Sequence, residues 1–295
     1  MLNNEYTMIH NVNLKHYNTL KLSATAYTMY YPHSIKGLAE ILKSNYNKQL
    51  VILGNGSNIL FSQTYYNNNY TFISLKLLDK IEKINRNTLS VEAGVKLSNF
   101  AWFCVEEGLV NMEFLEDIPG SIGGAIIMNA GTYRDTIGSF VKEVTYFDLD
   151  EREIKVKEVQ NGDFFKRGSF WSKVNCVVLE AKLSSKIGDY RISIEKLLND
   201  KKFRYLKQPR NYPSAGSVFK RPTVDLKDKV VWELLDDLGF RGYRIGDASF
   251  SQKHPGIIIN HGEAKFEDIM TLITKAKEQV KQEFDIELEL EWKII

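Results

Sequence analysis

The segment IPGSIGGAIIMNAG, from Ile118 to Gly131, constrains this chain more than any other, because four glycines and a proline stand there among residues that are otherwise almost all apolar. A surface turn has no use for Ile122, Ala125, Ile126, Ile127 and Met128. This backbone is therefore expected to be buried against something flat or anionic that satisfies its exposed N–H groups. The alternative is a buried loop packed only on protein. A second glycine loop, LGNGSNIL from Leu53 to Leu60, follows directly on the apolar run QLVI. Gly54 and Gly56 let the backbone turn tightly and approach a ligand with no Cβ in the way, while Ser57 and Asn58 add short hydrogen-bonding side chains, a combination suited to a pyrophosphate. The loop is neither G-x-G-x-x-G nor a phosphate loop ending in Lys-Ser/Thr, so a plain turn after a strand stays open.

Around these loops the hydrophobic period alternates between helix and strand. HSIKGLAEILKSNYNK places Ile35, Leu38 and Leu42 on one helical face ahead of the strand QLVIL. From about Tyr70 short strand-like runs follow (YTFISL, NTLSVEAGV, EVTYFDLD, NCVVLEAKL), interrupted by the helical LSNFAWFCVEEGL, and a boundary is expected there. A charged helical stretch, SIEKLLNDKKFRYLKQ, opens a third segment that ends with the amphipathic helix KFEDIMTLITKAKEQVKQEF and a last strand, DIELELEWKII. With 39 Lys+Arg against 37 Asp+Glu, the net charge of +2 provides no global field for nucleic acid. Cys104 and Cys176 sit in apolar contexts without C-x-x-C spacing and read as buried thiols of a reducing compartment. His254 and His261 lack ligand spacing to any Cys or acidic partner, so no metal is expected. No apolar run approaches membrane-spanning length and no secretory leader is visible, so a soluble, cytoplasmic protein without a membrane partner is expected.

Three further segments carry side-chain chemistry. In PSAGSVFKRP, Gly216 frees the backbone beside Ser217, and Lys220 lies three residues beyond the hydroxyl, so a polarised serine next to a cation is one reading and a structural serine on a glycine turn the other. In IELELEW strict alternation puts Glu287, Glu289 and Glu291 on one face of a strand, with nothing to prefer one carboxylate over its neighbours. Arg167, among aromatics in FFKRGSF, suits either an anionic ligand or a snorkelling surface position.

Taken in order, NTLKL (Asn18 to Leu22), LGNGSNIL, VEAGVKL, NMEFLEDIPGSIGGAIIMNAG, KRGS, KQPRNYPSAGSVFKRP and LELEW resemble the UDP-N-acetylenolpyruvoylglucosamine reductases, flavoenzymes of peptidoglycan precursor synthesis, from about residue 14 to the last residue. With PSAGS before the serine, the chain resembles the shorter form of the family, which lacks an extra substrate-covering loop. The resemblance implies an α+β fold in which two subdomains of the vanillyl-alcohol-oxidase (PCMH) FAD-binding type, residues 1–72 and 73–200, precede a substrate-binding α+β domain, residues 201–295. It implies non-covalent FAD, held by Leu53, Gly54, Asn55, Gly56, Ser57 and Asn58 and by Ile118, Pro119, Gly120, Ser121, Gly123, Gly124, Ala125, Asn129 and Gly131. It implies NADPH as hydride donor and small-molecule substrates, with the chain acting as a monomer. Arg167 and Glu291 match the residues that stabilise an enolic intermediate, and Ser217 matches the proton donor to C2. Lys166, Lys207, Lys220, Arg221 and His254 fall where substrate is contacted.

Three departures from the family pattern stand out. Lys166 replaces the tyrosine that usually precedes the arginine, Arg221 replaces an asparagine, and Ser23 and Ala24 stand where the family often has a glycine pair. The first two add positive charge near an anionic substrate or remove an orienting side chain. Another FAD-dependent oxidoreductase of the same fold, or a catalytically decayed flavin or UDP-sugar binding module, are the alternatives. The first often tethers flavin through His or Cys, and the loops here offer no His; the second has no need of Arg167, Ser217 and Glu291 together.

Overall fold

The structure is a computed structural model that describes residues 5–132, 135–222 and 230–295. The chain divides into two units that interleave in sequence. The first comprises the described chain up to Val12, then Ala26–Asn55 and Asn67–Phe203; the second comprises Asn13–Thr25, Gly56–Tyr66 and Arg204–Ile295. A partition into contiguous segments assigns 13–25 and 56–66 to the amino-terminal region, whereas these stretches belong with the carboxy-terminal unit, because Leu20, Leu22 and Leu60 are buried in its core.

In the first unit, one sheet runs in the order Tyr6–Asn13, Thr25–Pro32, Tyr70–Ser74, Gln49–Leu53. Tyr70–Ser74 lies parallel to both of its neighbours. Helix α1, Ile35–Ser44, supplies the crossover. Ser34 starts it by accepting a hydrogen bond from the Gly37 N–H at 3.0 Å, and Leu38, Ile41 and Leu42 bury the apolar face expected from their spacing. A second, antiparallel sheet has the order Glu153–Glu158, Val141–Asp148, Cys176–Ser184, Thr88–Glu92, Ile81–Asn85. The step between the two sheets falls after Ser74, slightly beyond residue 72. One core joins them, from Leu38 and Ile73 through Val91, Phe100 and Leu179 to Trp171. Helix α2, Leu97–Glu106, follows VEAGVK, and the short helix α3, Ile122–Met128, contains the central glycines.

Helix α4, Tyr190–Lys207, begins four residues before Ile194. It is weakly amphipathic and is fixed instead by ion pairs. Lys196 meets the buried Glu113 at 3.0 Å, Ser193 donates to the same carboxylate at 2.6 Å, and Lys201 meets Glu116 at 2.5 Å.

The second unit has a sheet ordered Ser214–Ser217, Ile257–Asn260, Ala248–Phe250, Arg244–Ile245, antiparallel throughout. Helix α5, Val231–Asp237, and helix α6, Phe266–Phe284, complete it. Ile269, Leu272, Ile273, Ala276 and Val280 form the buried stripe of α6, as its period requires. The carboxy-terminal DIELELEWKII is not one strand. Residues 285–289 are irregular, Leu290 makes an isolated bridge to Phe219, and Lys293–Ile294 forms a short strand parallel to Ile59–Leu60. Among the described residues no helix is long and apolar enough to cross a membrane.

Candidate active site

In the first unit the two glycine loops meet. A Cβ on Gly54 would be driven into Ser121 Oγ and would lie 3.3 Å from Ser121 Cβ, so glycine allows this approach with the hydroxyl in place. The segment VEAGVKL lines the other side. Leu97 N–H donates to Gly120 O, Ile122 N–H to Val95 O, and Gly123 N–H to Ala93 O, each between 2.9 and 3.1 Å. A Cβ on Gly123 would approach Ala93 Cβ to 2.9 Å. The expectation that a ligand satisfies the N–H groups of this loop is thus corrected for Ile122 and Gly123, whose amides are bound by protein.

Two observations nevertheless fit an anionic cofactor here. Ser121 is 3% exposed, and its Oγ has no hydrogen-bond partner among the described residues, a costly state for a hydroxyl unless something else accepts from it. Gly124 is exposed, and a Cβ there would meet nothing nearer than Ser121 Oγ at 3.8 Å, so the protein's own packing does not demand a glycine at this position. A bare backbone beside a buried hydroxyl in want of a partner is what a flavin pyrophosphate requires.

The side chain of Asn129, expected at the cofactor, is bonded within the protein. The residue ends α3 in the left-handed region at φ 47°, and both ends of its amide are used within the protein. Its Nδ2 donates to Phe165 O at 2.9 Å, and its Oδ1 accepts from Gly138 N–H at 3.2 Å. Phe165 and Gly168 pair across a two-residue turn whose tip is Lys166 and Arg167, both exposed. Arg167 has φ 64°, a conformation that a residue with a Cβ adopts only when its surroundings hold it there.

The loop LGNGSN passes from one unit to the other between Asn55 and Gly56. In the second unit Gly56 has φ 63°, and a Cβ there would collide with Tyr17 O, so this glycine answers to the NTLKL segment. Asn18 organises that segment by donating to Leu14 O and Leu22 O and accepting from Leu22 N–H. Asn58 Nδ2 donates to Glu291 O at 3.1 Å, and Asn58 O accepts from Lys293 N–H at 3.0 Å. Asn58 thus anchors the segment that carries a candidate catalytic carboxyl.

Backbone pairing sets the segment that follows Ser217 beside the segment that ends at Glu291. Residues 218–220 run antiparallel to 289–291: Glu291 N–H donates to Val218 O at 2.8 Å and Lys220 N–H to Glu289 O at 2.9 Å. The register against Ile257–Asn260 slips by one residue between Ser214 and Ser217, at Gly216 with φ 72°, and this bulge leaves Ser217 exposed. The structure separates the three glutamates that the sequence left equivalent. Glu287 and Glu289 are exposed and take Lys281 at 3.5 Å and Lys220 at 3.2 Å, whereas Glu291 is half-buried with its Oε2 shielded from solvent.

Of the expected substrate contacts in this unit, Lys207 ends α4 and, like Arg221, is exposed. His254 is held by Gly256 N–H, which donates to its Nδ1 at 3.2 Å, and it packs on Trp232. Burial pushes its pKa down, so the neutral ring carries its proton on Nε2. Sequence reasoning missed Asn260, whose amide donates to Leu20 O and accepts from Gly262 and Ala264 N–H, and Lys253, which donates to Tyr205 O at 2.7 Å. The buried Asn260 ends the apolar strand Ile257–Asn260, and a polar residue closing an apolar run was the available signal. Cys104 is buried and Cys176 only partly so; burial pushes the Cys176 thiol up to about 12.

Residues 28–157 match the FAD binding domain family, and residues 208–295 match the family described as UDP-N-acetylenolpyruvoylglucosamine reductase, C-terminal domain. With the α+β architecture, these define an FAD-dependent oxidoreductase. The UDP-N-acetylenolpyruvoylglucosamine reductase of Francisella tularensis is 36% identical over 287 residues, 96% of this chain and 99% of the relative. That of Caldicellulosiruptor bescii is 37% identical over 287 residues, 96% and 88% of the two chains. The crystal structure of the reductase from Thermus caldophilus superposes with a TM-score of 0.80 at 24% identity, covering 98% of each chain, and shows the same fold. The chain belongs to the UDP-N-acetylenolpyruvoylglucosamine reductase family.

Proposed function

We propose that this chain reduces the enolpyruvyl ether of UDP-N-acetylglucosamine to UDP-N-acetylmuramate, as a cytoplasmic monomer in peptidoglycan precursor synthesis, with NADPH as hydride donor. The observation that carries the assignment of roles is the pairing of 218–220 with 289–291, which sets the Ser217 bulge beside Glu291. When bound, FAD supplies the hydride chemistry that couples NADPH oxidation to reduction of the enolpyruvyl double bond. Leu53 to Asn55 and Ile118 to Ala125 would hold it without a covalent link, with Ser121 Oγ donating to the pyrophosphate. The sheets on either side of the step after Ser74 are its two FAD-binding subdomains.

Hydride addition at C3 of the enolpyruvyl group leaves negative charge on C2 and on the adjacent carboxylate. Arg167 offsets that charge from the tip of its hairpin, and Glu291, protonated, donates a hydrogen bond to the same enolate. Ser217 then delivers its proton to C2, and the alkoxide left behind is reprotonated from solvent at this exposed position. Lys220 lowers the cost of that alkoxide; its exposed pair with Glu289 is weak enough to exchange. Lys166, Lys207 and Arg221 take the diphosphate, and His254 presents Nε2–H to the sugar.

Stopped-flow traces of flavin absorbance test this assignment by separating the two half-reactions. Ser217→Ala should leave reduction by NADPH nearly intact and slow reoxidation by the enolpyruvyl substrate by roughly 10² to 10⁴-fold. Reoxidation at the wild-type rate would withdraw the role from Ser217.

A further inference from the structure

We propose that Asn129 is the positioning residue for Arg167, fixing the hairpin that carries the cation to the glycine segment that faces the cofactor; this rests on the role of Arg167 given above. Asn129 caps α3 within that segment, and its side chain touches two elements at once. Phe165, whose carbonyl accepts from Nδ2 at 2.9 Å, immediately precedes the Lys166–Arg167 turn. Gly138, whose N–H donates to Oδ1 at 3.2 Å, lies in the 3-10 turn Ile137–Ser139. A carbonyl can only accept and an N–H can only donate, so the carboxamide fits in one orientation and an isosteric carboxylate does not replace it.

Other restraints act at the base of the hairpin, where Phe170 N–H donates to Asp163 O at 2.7 Å and the Phe164 ring packs on Trp171, and at α3. Ser169 Oγ donates to Ile127 O at 3.3 Å, which ties the outgoing strand to α3. Gly138 leaves room for the Phe164 ring, which a Cβ there would strike. The turn itself opposes its own geometry, because Arg167 occupies a left-handed conformation at φ 64°. Such a residue relaxes unless the residues around it over-determine its backbone. Cutting the Asn129 bonds therefore frees the tip that carries the guanidinium while leaving Gly54, Ser121 and Gly124 in place.

Asn129→Gly keeps the left-handed backbone at φ 47° without strain and removes both bonds, whereas Asn129→Asp preserves volume and the Gly138 bond but sets a carboxylate oxygen against the Phe165 carbonyl. In both variants FAD content and the rate of flavin reduction by NADPH should stay within about twofold of wild type. Reoxidation by the enolpyruvyl substrate should slow by about 10- to 100-fold, the order of loss that accompanies a displacement of about 1 Å in a catalytic group. Asn129→Gly combined with Arg167→Ala should reoxidise no more slowly than Arg167→Ala alone. If Arg167→Ala itself reoxidises at the wild-type rate, the role of Arg167 falls and the positioning with it. If Arg167→Ala is slow but Asn129→Gly is not, or if the two losses multiply in the double variant, the positioning alone is overturned. Loss of FAD from the Asn129 variants would return this residue to the cofactor site and overturn the proposal equally. The aspartate variant serves should the glycine variant fail to fold.

Discussion

Replacing Ser121 by alanine should move the stability of the FAD-free protein and its affinity for FAD in opposite directions. Ser121 is 3% exposed, and its Oγ has no hydrogen-bond partner among the described residues. An unsatisfied buried hydroxyl costs about 1–3 kcal/mol, so Ser121→Ala should stabilise the FAD-free protein by about 1 kcal/mol and raise its Tm by about 2–4 °C. A hydrogen bond to a charged phosphate oxygen is worth about 1.5–3 kcal/mol, so the same change should raise the Kd for FAD by roughly 10- to 150-fold. Gly54→Ala provides the cross-check. Its Cβ would run into Ser121 Oγ and lie 3.3 Å from Ser121 Cβ, so relief comes from rotating the hydroxyl away. It should weaken FAD by a similar factor, and in a Ser121→Ala background it should add less than about 1 kcal/mol, for the residual tight contact. Calorimetry of FAD-free protein and titration of flavin fluorescence measure the two quantities. A Ser121→Ala protein that melts lower and binds FAD as tightly as wild type would make this hydroxyl structural and refute the argument.

Two further outcomes concern stability. The Glu113 carboxyl is pushed up by burial but pulled further down by bonds from Ser193, its own backbone N–H and Lys196, so its pKa in the folded protein lies below the ordinary value of 4.5. Its contribution is present above about pH 4.5 and is lost as pH falls through the folded pKa, where the unfolded chain binds a proton that the native protein does not. Glu113→Gln should therefore be less stable than wild type at pH 7, with the gap narrowing toward pH 3 in urea unfolding; a gap independent of pH would contradict this. At Gly216 an added Cβ meets no atom within 4 Å, so Gly216→Ala should cost only the left-handed backbone term, about 1–2 kcal/mol. The same variant should slow the substrate half-reaction through the displaced Ser217, and unchanged stability would show that the bulge is not held at φ 72°.

Local chemistry made the glycine segments and the PSAGS turn legible in the sequence, because backbone close to a ligand or at positive φ calls for glycine wherever it occurs. The helical faces of α1 and α6 were legible for the same reason, since their period is written in Leu38, Ile41 and Leu42 and in Ile269, Leu272 and Ile273. What escaped depends on partners distant in the chain. Nothing in LGNGSN announces that Asn58 reaches Glu291 O, 233 residues away, and nothing in ELELE distinguishes Glu291 until Val218 pairs beside it. Nothing in MNAG announces that the Asn129 side chain bonds Phe165 O and Gly138 N–H, because both partners lie outside the segment. The alternation in DIELELEW correctly marks Ile286, Leu288 and Trp292 as buried, but it does not reveal that most of the segment lacks a continuous neighbouring strand.

The interleaving of the two units bears on how the protein is made and inherited. Leu20, Leu22 and Leu60 leave the ribosome long before Ala215, Ile258 and Trp292, the residues that share their core. At about 5–20 residues per second, roughly 8 to 54 s pass between the emergence of these leucines and that of their core partners. The carboxy-terminal region is likewise not a cassette. A gene fusion or recombination event joining at residue 204 would carry the sheet and α6 but leave behind three of the leucines that fill their core, which come from 13–25 and 56–66.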